Sequence, residues 1–452
     1  MLVIDSLMGR GKTTYAINHI NKNKHQQFLF ITPFISECQR VSEATGIMTP
    51  VDDNELGTKR DQAIEAIEFG RSLVITHSLF LLIPKQQVQS LSSYQIIIDE
   101  ALATCEHLPM SSGEITSMLR DEVVTVKDEH EHYKRLELNT PDHLKNTPLL
   151  RFHHNRLSGN ADLLLSDNNL VVMMLPACVF EDDSRITLLT YNYEGSDFQA
   201  YLKMRGIVPT IKSVLDGELV DYTAQDGSAF RNLINVVDHK KLNEQKANKN
   251  QRYTKKFYYR LTGEGLKEIR NNLRNYYSNI VKTPSSKNLW TVFECSDFVE
   301  HFTDSEGAAW FTGGGNKKNI RDLLMTKPYR QVGSKKFEYD FSHMIGEDGM
   351  DLTSERKRQC WIPINCKGTN MYADRTSLAY MVNLNLSPAI INFFRLVNGV
   401  APCNDTFALN MLVQWIFRSA VRNGEPINLY IPSKRMRHLL LTWLGYGEKE
   451  LF

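Results

Sequence analysis

Cysteine is scarce and unpatterned in this chain. Its 452 residues contain seven, with no CxxC pair and no histidines at zinc spacing. That excludes a zinc ribbon or a disulfide scaffold and implies reduced thiols in an intracellular, cytoplasmic setting. An excess of one charge is also lacking: 53 Lys and Arg face 52 Asp and Glu, for a net charge of +1. No global basic field advertises nucleic acid, so any phosphate-binding track must be local. No apolar run reaches membrane-spanning length, and nothing reads as a signal peptide, because Met1 is expected to open directly into a core strand. No membrane partner is expected. No internal repeat shows beyond two α/β halves, and no acidic triad of the kind a nuclease needs follows residue 290.

What is present begins at once. The segment Ser6-Leu-Met-Gly-Arg-Gly-Lys-Thr13 follows the apolar run Leu2-Val-Ile4 and precedes a helical stretch from Thr14 to Ile20. Strand, Gly-rich loop, Lys-Thr and helix in this order make a P-loop, with Ser6 where the pattern has its first Gly. Gly9 and Gly11 let successive backbone N–H groups, with that of Arg10 between them, curl toward phosphate oxygens. Lys12 is expected on the β- and γ-phosphates, the Thr13 hydroxyl on Mg²⁺, and Thr14 at the helix N-terminus beside the same anion. ATP and Mg²⁺ are the expected cofactors.

A second motif lies downstream. Tyr94-Gln-Ile-Ile-Ile-Asp-Glu-Ala101 is a β-branched run ending in two acids, the pattern of a buried parallel strand. Asp99 at its carboxyl end would hold Mg²⁺, and Glu100 would polarise the water that attacks the γ-phosphate. A helix N-cap would account for Asp99 alone but not for Glu100.

The chain as a whole reads as alternating strands and helices, hence α/β with parallel sheets. Residues 1–215 form a first domain, with a polar insertion at about 111–170 whose His130, His132, His153 and His154 fit no metal spacing. Runs at Leu170–Leu175 and Arg185–Tyr191 read as further strands. Residues 216–285 read as a linking segment, strongly basic from Asp238 to Lys256, with Tyr253, Phe257, Tyr258 and Tyr259 close by. Lysines there suit phosphate contacts, while the aromatics suit a core. Residues 286–452 form a second α/β domain, with a helix from Thr406 to Val421, a strand at Ile427–Ile431 and a final amphipathic helix whose Lys434, Arg435, Arg437 and His438 are candidate phosphate contacts.

The order of these motifs resembles the superfamily 2 helicases, which implies two RecA-like P-loop domains with inserted or linking helical segments. In that resemblance Thr32-Pro33 and Thr76-His77, each at a strand end, grip a nucleic-acid backbone. Lys367-Gly-Thr-Asn370 resembles a domain-two motif that binds both nucleic acid and the ATP ribose, and Thr190 stands where a Ser-Ala-Thr type motif couples ATP state to strand grip. The last family motif carries Gln followed by Arg four and seven positions on; here Gln414 is followed by Arg418 and Arg422, four and eight on. That spacing puts all three on one face of a continuous helix, with Arg418 as the arginine finger. Tyr372–Asn383 and Tyr430–Arg437 are similar to segments of helicase-type ATPases of tailed phages.

The implied function is an ATP-dependent nucleic-acid motor, foremost a DNA helicase in viral replication or recombination, acting on a single strand or fork and meeting replication proteins. DNA is favoured over RNA. A translocating, remodelling or packaging ATPase that does not unwind, and an ATP-dependent DNA-binding loader, are the alternatives. A small P-loop kinase is excluded by size, by the acidic pair and by the second α/β half.

Overall fold

The computed structural model describes residues 1–53, 57–139, 161–180, 182–224, 226–239, 242, 252–260, 263–293, 330–332, 336–338, 362–364 and 372–447. The chain divides into two compact units, Met1–Gln225 with Leu386–Phe407, and Asp226–Asn385 with Ala408–Phe452.

Unit one is built on a seven-stranded sheet. Its strands are β1 (Leu2–Asp5), β2 (Gln27–Thr32), β3 (Leu73–Thr76), β4 (Tyr94–Asp99) and, later in the chain, three strands introduced below. Helices α1 (Lys12–Lys22), α2 (Ile35–Thr45), α3 (Lys59–Glu68) and the short α4 (His77–Phe80) intervene. Between β4 and the return to this sheet, the chain builds a second, antiparallel sheet from β5 (Cys105–Leu108), β6 (Val124–Glu129), β7 (Tyr133–Leu138), β8 (Asp162–Ser166) and β9 (Val171–Met174), in the order β5-β9-β8-β7-β6. Then β10 (Ile186–Thr190), β11 (Thr210–Leu215) and β12 (Glu218–Asp221) complete the main sheet, whose order is β12-β11-β1-β10-β4-β2-β3. All its pairings are parallel except that of β12 with β11.

The continuous apolar strands follow from burial on both faces. Val3, Leu29, Ile31, Ile96, Ile98 and Leu188 enter one core, while Ile4, Phe28, Phe30, Ile97 and Leu189 enter another with Ala16 and Ile20 of α1. Side chains alternate along a strand, so each run must be apolar at every position.

The expectation of α/β architecture with parallel sheets holds, but the insertion differs from its sequence reading. Among the described residues it is mainly β, with one helix at Ser112–Arg120, rather than helical. The Leu170–Leu175 run joins the antiparallel sheet and not the main one. Val172 and Met174 face the large core, and Val171 and Met173 face the insertion's own core with Ile115 and Met118.

Unit two carries a four-stranded parallel sheet of β13 (Ile234–Val236), β14 (Asn288–Thr291) and two later strands. A separate hairpin of β15 (Arg330–Val332) and β16 (Lys336–Glu338) precedes them. The later strands are β17 (Ser377–Tyr380) and β18 (Ile427–Tyr430), giving the order β13-β18-β17-β14. The expected 216–285 linker is thereby divided. Its β12 pairs in unit one, whereas β13 pairs in unit two and Tyr253, Tyr258, Ile269, Leu273, Tyr276 and Tyr277 pack with Trp290 and Tyr430. The segment Leu386–Phe407, expected in the second domain, lies in unit one, where Ile390, Phe393 and Phe394 share a core with Phe198 and Tyr201.

In unit two, Gly227 donates its N–H to the Trp443 carbonyl, and Trp443 stacks on Phe230 at 6.2 Å and 7°. A Cβ at Gly227 would run into the Trp443 ring. Gly227→Ala is therefore expected to cost about 1–3 kcal/mol through overpacking, read as a lower urea midpoint with an altered Trp fluorescence signal.

Candidate nucleotide site

Of the six parallel strands of this sheet, all but β11 stop on Asp or Thr. In spatial order these are Asp5 of β1, Thr190 of β10, Asp99 of β4, Thr32 of β2 and Thr76 of β3. The carboxyl edge of an open parallel sheet is where the loops diverge and a ligand can be met.

The loop after β1 is shaped as its sequence requires. Gly9 and Gly11 have φ of 80° and 87°, a left-handed conformation that a Cβ would strain, and a Cβ at either would meet nothing within 4 Å. Gly11 is the N-cap of α1, which has no side-chain cap and no acid in its first turn, an N-terminus whose dipole suits an anion. Arg10 and Thr14 are exposed beside it. Lys12 is buried, its ammonium folded back onto the carbonyls of Ser6 at 2.5 Å and Leu7 at 3.3 Å.

Ser6 differs from its expected place as a ligand contact. Its N–H donates to Thr190, its carbonyl accepts from Lys12, and its hydroxyl accepts the Val214 N–H at 2.8 Å. With 1% exposure it locks the loop to the sheet instead of facing a phosphate. Glycine could not do this.

The two sequence motifs converge. The Thr13 hydroxyl donates to the Asp99 carboxylate, 3.3 Å from one oxygen and 3.5 Å from the other. Burial pushes the Asp99 carboxyl up to about 7, and the negative charges of Glu100 and Glu37 add to this, against Lys12 and the Thr13 hydrogen bond. A hydroxyl beside a buried carboxylate that is costly to ionise alone fits Mg²⁺, which takes one or two protein oxygens and completes its shell with water and phosphate. Among the described residues no three His, Cys, Asp or Glu side chains gather around any other metal position. Glu100 follows at φ 64°, a left-handed conformation that is strained for Glu.

Asp5 is a site residue that sequence reading passed over. It is 3% exposed, and its carboxylate accepts the N–H groups of Asn192 at 2.8 Å and Tyr193 at 2.9 Å. Burial raises its pKa, and those two hydrogen bonds oppose the rise. It ties the start of the P-loop to the turn after β10. The signal was available, since an acid closing an apolar strand is the pattern that singled out Asp99.

The expected nucleic-acid contacts on unit one are placed otherwise. Thr32 is wholly buried, so its hydroxyl is not at a surface that a strand could touch, and Pro33 is half-buried. The Thr76 hydroxyl accepts the Leu79 N–H at 3.1 Å as the cap of α4. The His77 ring lies 2.9 Å from the Asp99 carbonyl. Lys367, Gly368, Thr369 and Asn370 fall outside the described residues.

The helix bearing Gln414 runs Asn404–Ile416, with its part from Ala408 onward assigned to unit two, and stops. Arg418 N–H donates to Trp415, and Ser419 donates both its N–H and its hydroxyl to Ile416, closing the last turn with short-range bonds. Gln414, Arg418 and Arg422 therefore do not share one helix face. Gln414 is buried with its amide donating to Asn410 at 3.0 Å, Arg418 is 4% exposed, and Arg422 is exposed. Of the basic cluster near the C-terminus, Lys434 and His438 are exposed, while the two arginines turn inward. Arg437 donates to the carbonyls of Ile431 and Pro432, and Arg435 to Asn383 and Leu384.

Two outcomes follow. Ser6→Ala leaves the buried Val214 N–H without its acceptor and should cost about 1–3 kcal/mol in chemical denaturation while nucleotide affinity stays within about twofold. Asp99 binds its proton more tightly folded than unfolded, so its charge destabilises the metal-free protein as pH rises from the ordinary 3.8 through about 7. Asp99→Asn in EDTA should thus raise the melting temperature at pH 8 and lose that advantage below pH about 4.

Residues 228–444 match the family model described as the YonV C-terminal Rossmann-like domain. The SPbeta prophage-derived protein YonV of Bacillus subtilis (strain 168) is 28% identical over 475 residues, covering 98% of each chain. Among solved structures, the chain is similar to XPD in its apo form at a TM-score of 0.48 and 13% identity, covering 99% of this chain and 96% of that one. It is also similar to an XPD helicase at 0.45 and 10%, covering 98% and 94%, and to Xpd4 of S. tokodaii at 0.42 and 13%, covering 100% and 95%.

Proposed function

We propose that this chain is an ATP-driven nucleic-acid motor, foremost a DNA helicase of phage type. The observation that carries the ATPase part is the meeting of Lys12, Thr13 and Asp99 at the carboxyl edge of one parallel sheet. Lys12 would exchange its two carbonyl partners for the β- and γ-phosphates, and the α1 N-terminus would receive the same anion. Thr13 and Asp99 would hold Mg²⁺, which neutralises phosphate charge as it transfers. Glu100 would orient and deprotonate the attacking water. Arg418, buried in the second unit, is proposed for the arginine-finger role that its motif implies.

The nucleic-acid part of the proposal rests on motif order and on the second α/β unit. With Thr32 buried and Thr76 and His77 turned to internal bonds, the strand is assigned to other surfaces. The prophage origin in the name of its relative YonV supports a phage setting, and with it the host cytoplasm. No helix among the described residues is long and apolar enough to cross a membrane.

The test is ATP hydrolysis by the full chain with Mg²⁺, with and without single-stranded DNA. Turnover should be stimulated by DNA, abolished by Lys12→Ala and reduced at least about tenfold by Arg418→Ala. Stimulation without strand displacement would favour a translocase. Turnover indifferent to DNA and RNA would favour a loader or remodeller.

A further inference from the structure

We infer that His77 is a positioning residue of the hydrolytic centre, holding the Asp99–Glu100 peptide so that the Glu100 carboxylate is aimed, and is not a contact to nucleic acid. This rests on the ATPase reading above.

The peptide between the two acids is gripped from both sides. Its N–H, that of Glu100, donates to the Leu189 carbonyl of β10 at 2.8 Å. Its carbonyl, that of Asp99, lies 2.9 Å from His77 Nε2. A carbonyl can only accept, so Nε2 carries the proton and donates, which also fixes the tautomer of the ring.

The grip crosses a whole strand. His77 follows β3, Asp99 ends β4, and β2 lies between them. With strands spaced by about 4.8 Å, the gap is closed by the turn after β3, the imidazole and the 2.9 Å bond together. The backbone of His77 is itself fixed, because Thr76 caps the turn that begins with it.

Immediately beyond the gripped peptide, Glu100 sits at φ 64°. A non-glycine residue keeps that conformation only where its surroundings over-determine it. The bonds to Leu189 and His77 are two such constraints, one on each side of the peptide. Without the His77 bond the Asp99–Glu100 peptide can rotate and Glu100 can relax into ordinary backbone space. The carboxylate then swings away from the water, while Lys12, Gly11 and Thr13 keep their places. Misplacement of about 1 Å at a reacting group is enough to cost on the order of a hundredfold.

The experiment uses the full chain with Mg-ATP and no nucleic acid. His77→Ala should lower kcat about tenfold or more and leave the affinity for a fluorescent ADP within about twofold. His77→Gln, whose amide nitrogen reaches the place of Nε2, should restore most of kcat, and the shorter His77→Asn should not. Should His77→Ala fail to fold, the Gln and Asn pair decides alone. Equal kcat in that pair would overturn the assignment. So would wild-type turnover without nucleic acid in His77→Ala together with single-strand binding weakened tenfold or more, which would make the ring a strand contact. Lys12→Ala separates this from the parent reading. If it turns over like wild type, the ATPase reading fails and takes this one with it; if it is dead while His77→Ala is unimpaired, only the role of His77 fails.

Discussion

A parallel sheet covered on both faces leaves polar chemistry one place to go, the ends of its strands. In unit one Val3, Ile4, Phe30, Ile31, Ile97 and Ile98 face the two cores and are apolar. At the carboxyl edge the strands end on Asp5, Thr190, Asp99, Thr32 and Thr76. Strand order then decides which of these ends can cooperate. Because β10 alone separates β1 from β4, the loop after the first reaches the acid of the second, and Thr13 meets Asp99 across 86 residues of sequence.

That edge gathers buried charge. Asp99 and Asp5 are both held above the ordinary carboxylate range by burial, Glu37 and Glu100 add negative charge to Asp99, and Lys12 is buried against carbonyls. Buried charge of this kind is tolerable only when paired or coordinated. A divalent cation beside Asp99 and a phosphate chain beside Lys12 would supply both partners together. The same low dielectric that makes burial of these charges costly strengthens each interaction that pairs them. Hydrogen bonds to Ser6, Asp5 and the Asp99–Glu100 peptide hold these groups in register.

The insertion and the exchanged segment show a different constraint. Strands β8 and β9 have two apolar faces serving two different cores, one shared with the main sheet and one closed by Ile115 and Met118. Their hydrophobic runs look in sequence like those of the parallel strands, since both are buried on two sides. The helix at Pro388–Asn398 has an apolar stripe that any core could take, and it belongs to the core of Phe198 and Tyr201, remote in sequence. A local pattern specifies that a face must be buried but carries no label for its partner.

Local pattern along the chain was enough for the α/β class, the Gly-rich loop of Gly9, Gly11, Lys12 and Thr13, and the acids at 99 and 100. Those features are local: glycine where φ must be positive, apolar residues where both faces are covered, an acid where a strand ends. Tertiary packing was needed to show that Ser6 braces the sheet, that Asp5 joins the site, and that Thr32 is sealed beneath the surface. It also decided that His77 turns to the Asp99 carbonyl and that the helix of Gln414 stops before Arg418. Each of those depends on a partner brought close by strand order or on the competition of short-range bonds at a helix end. Residue spacing along the chain encodes neither the neighbour across a sheet nor the bond that ends a helix.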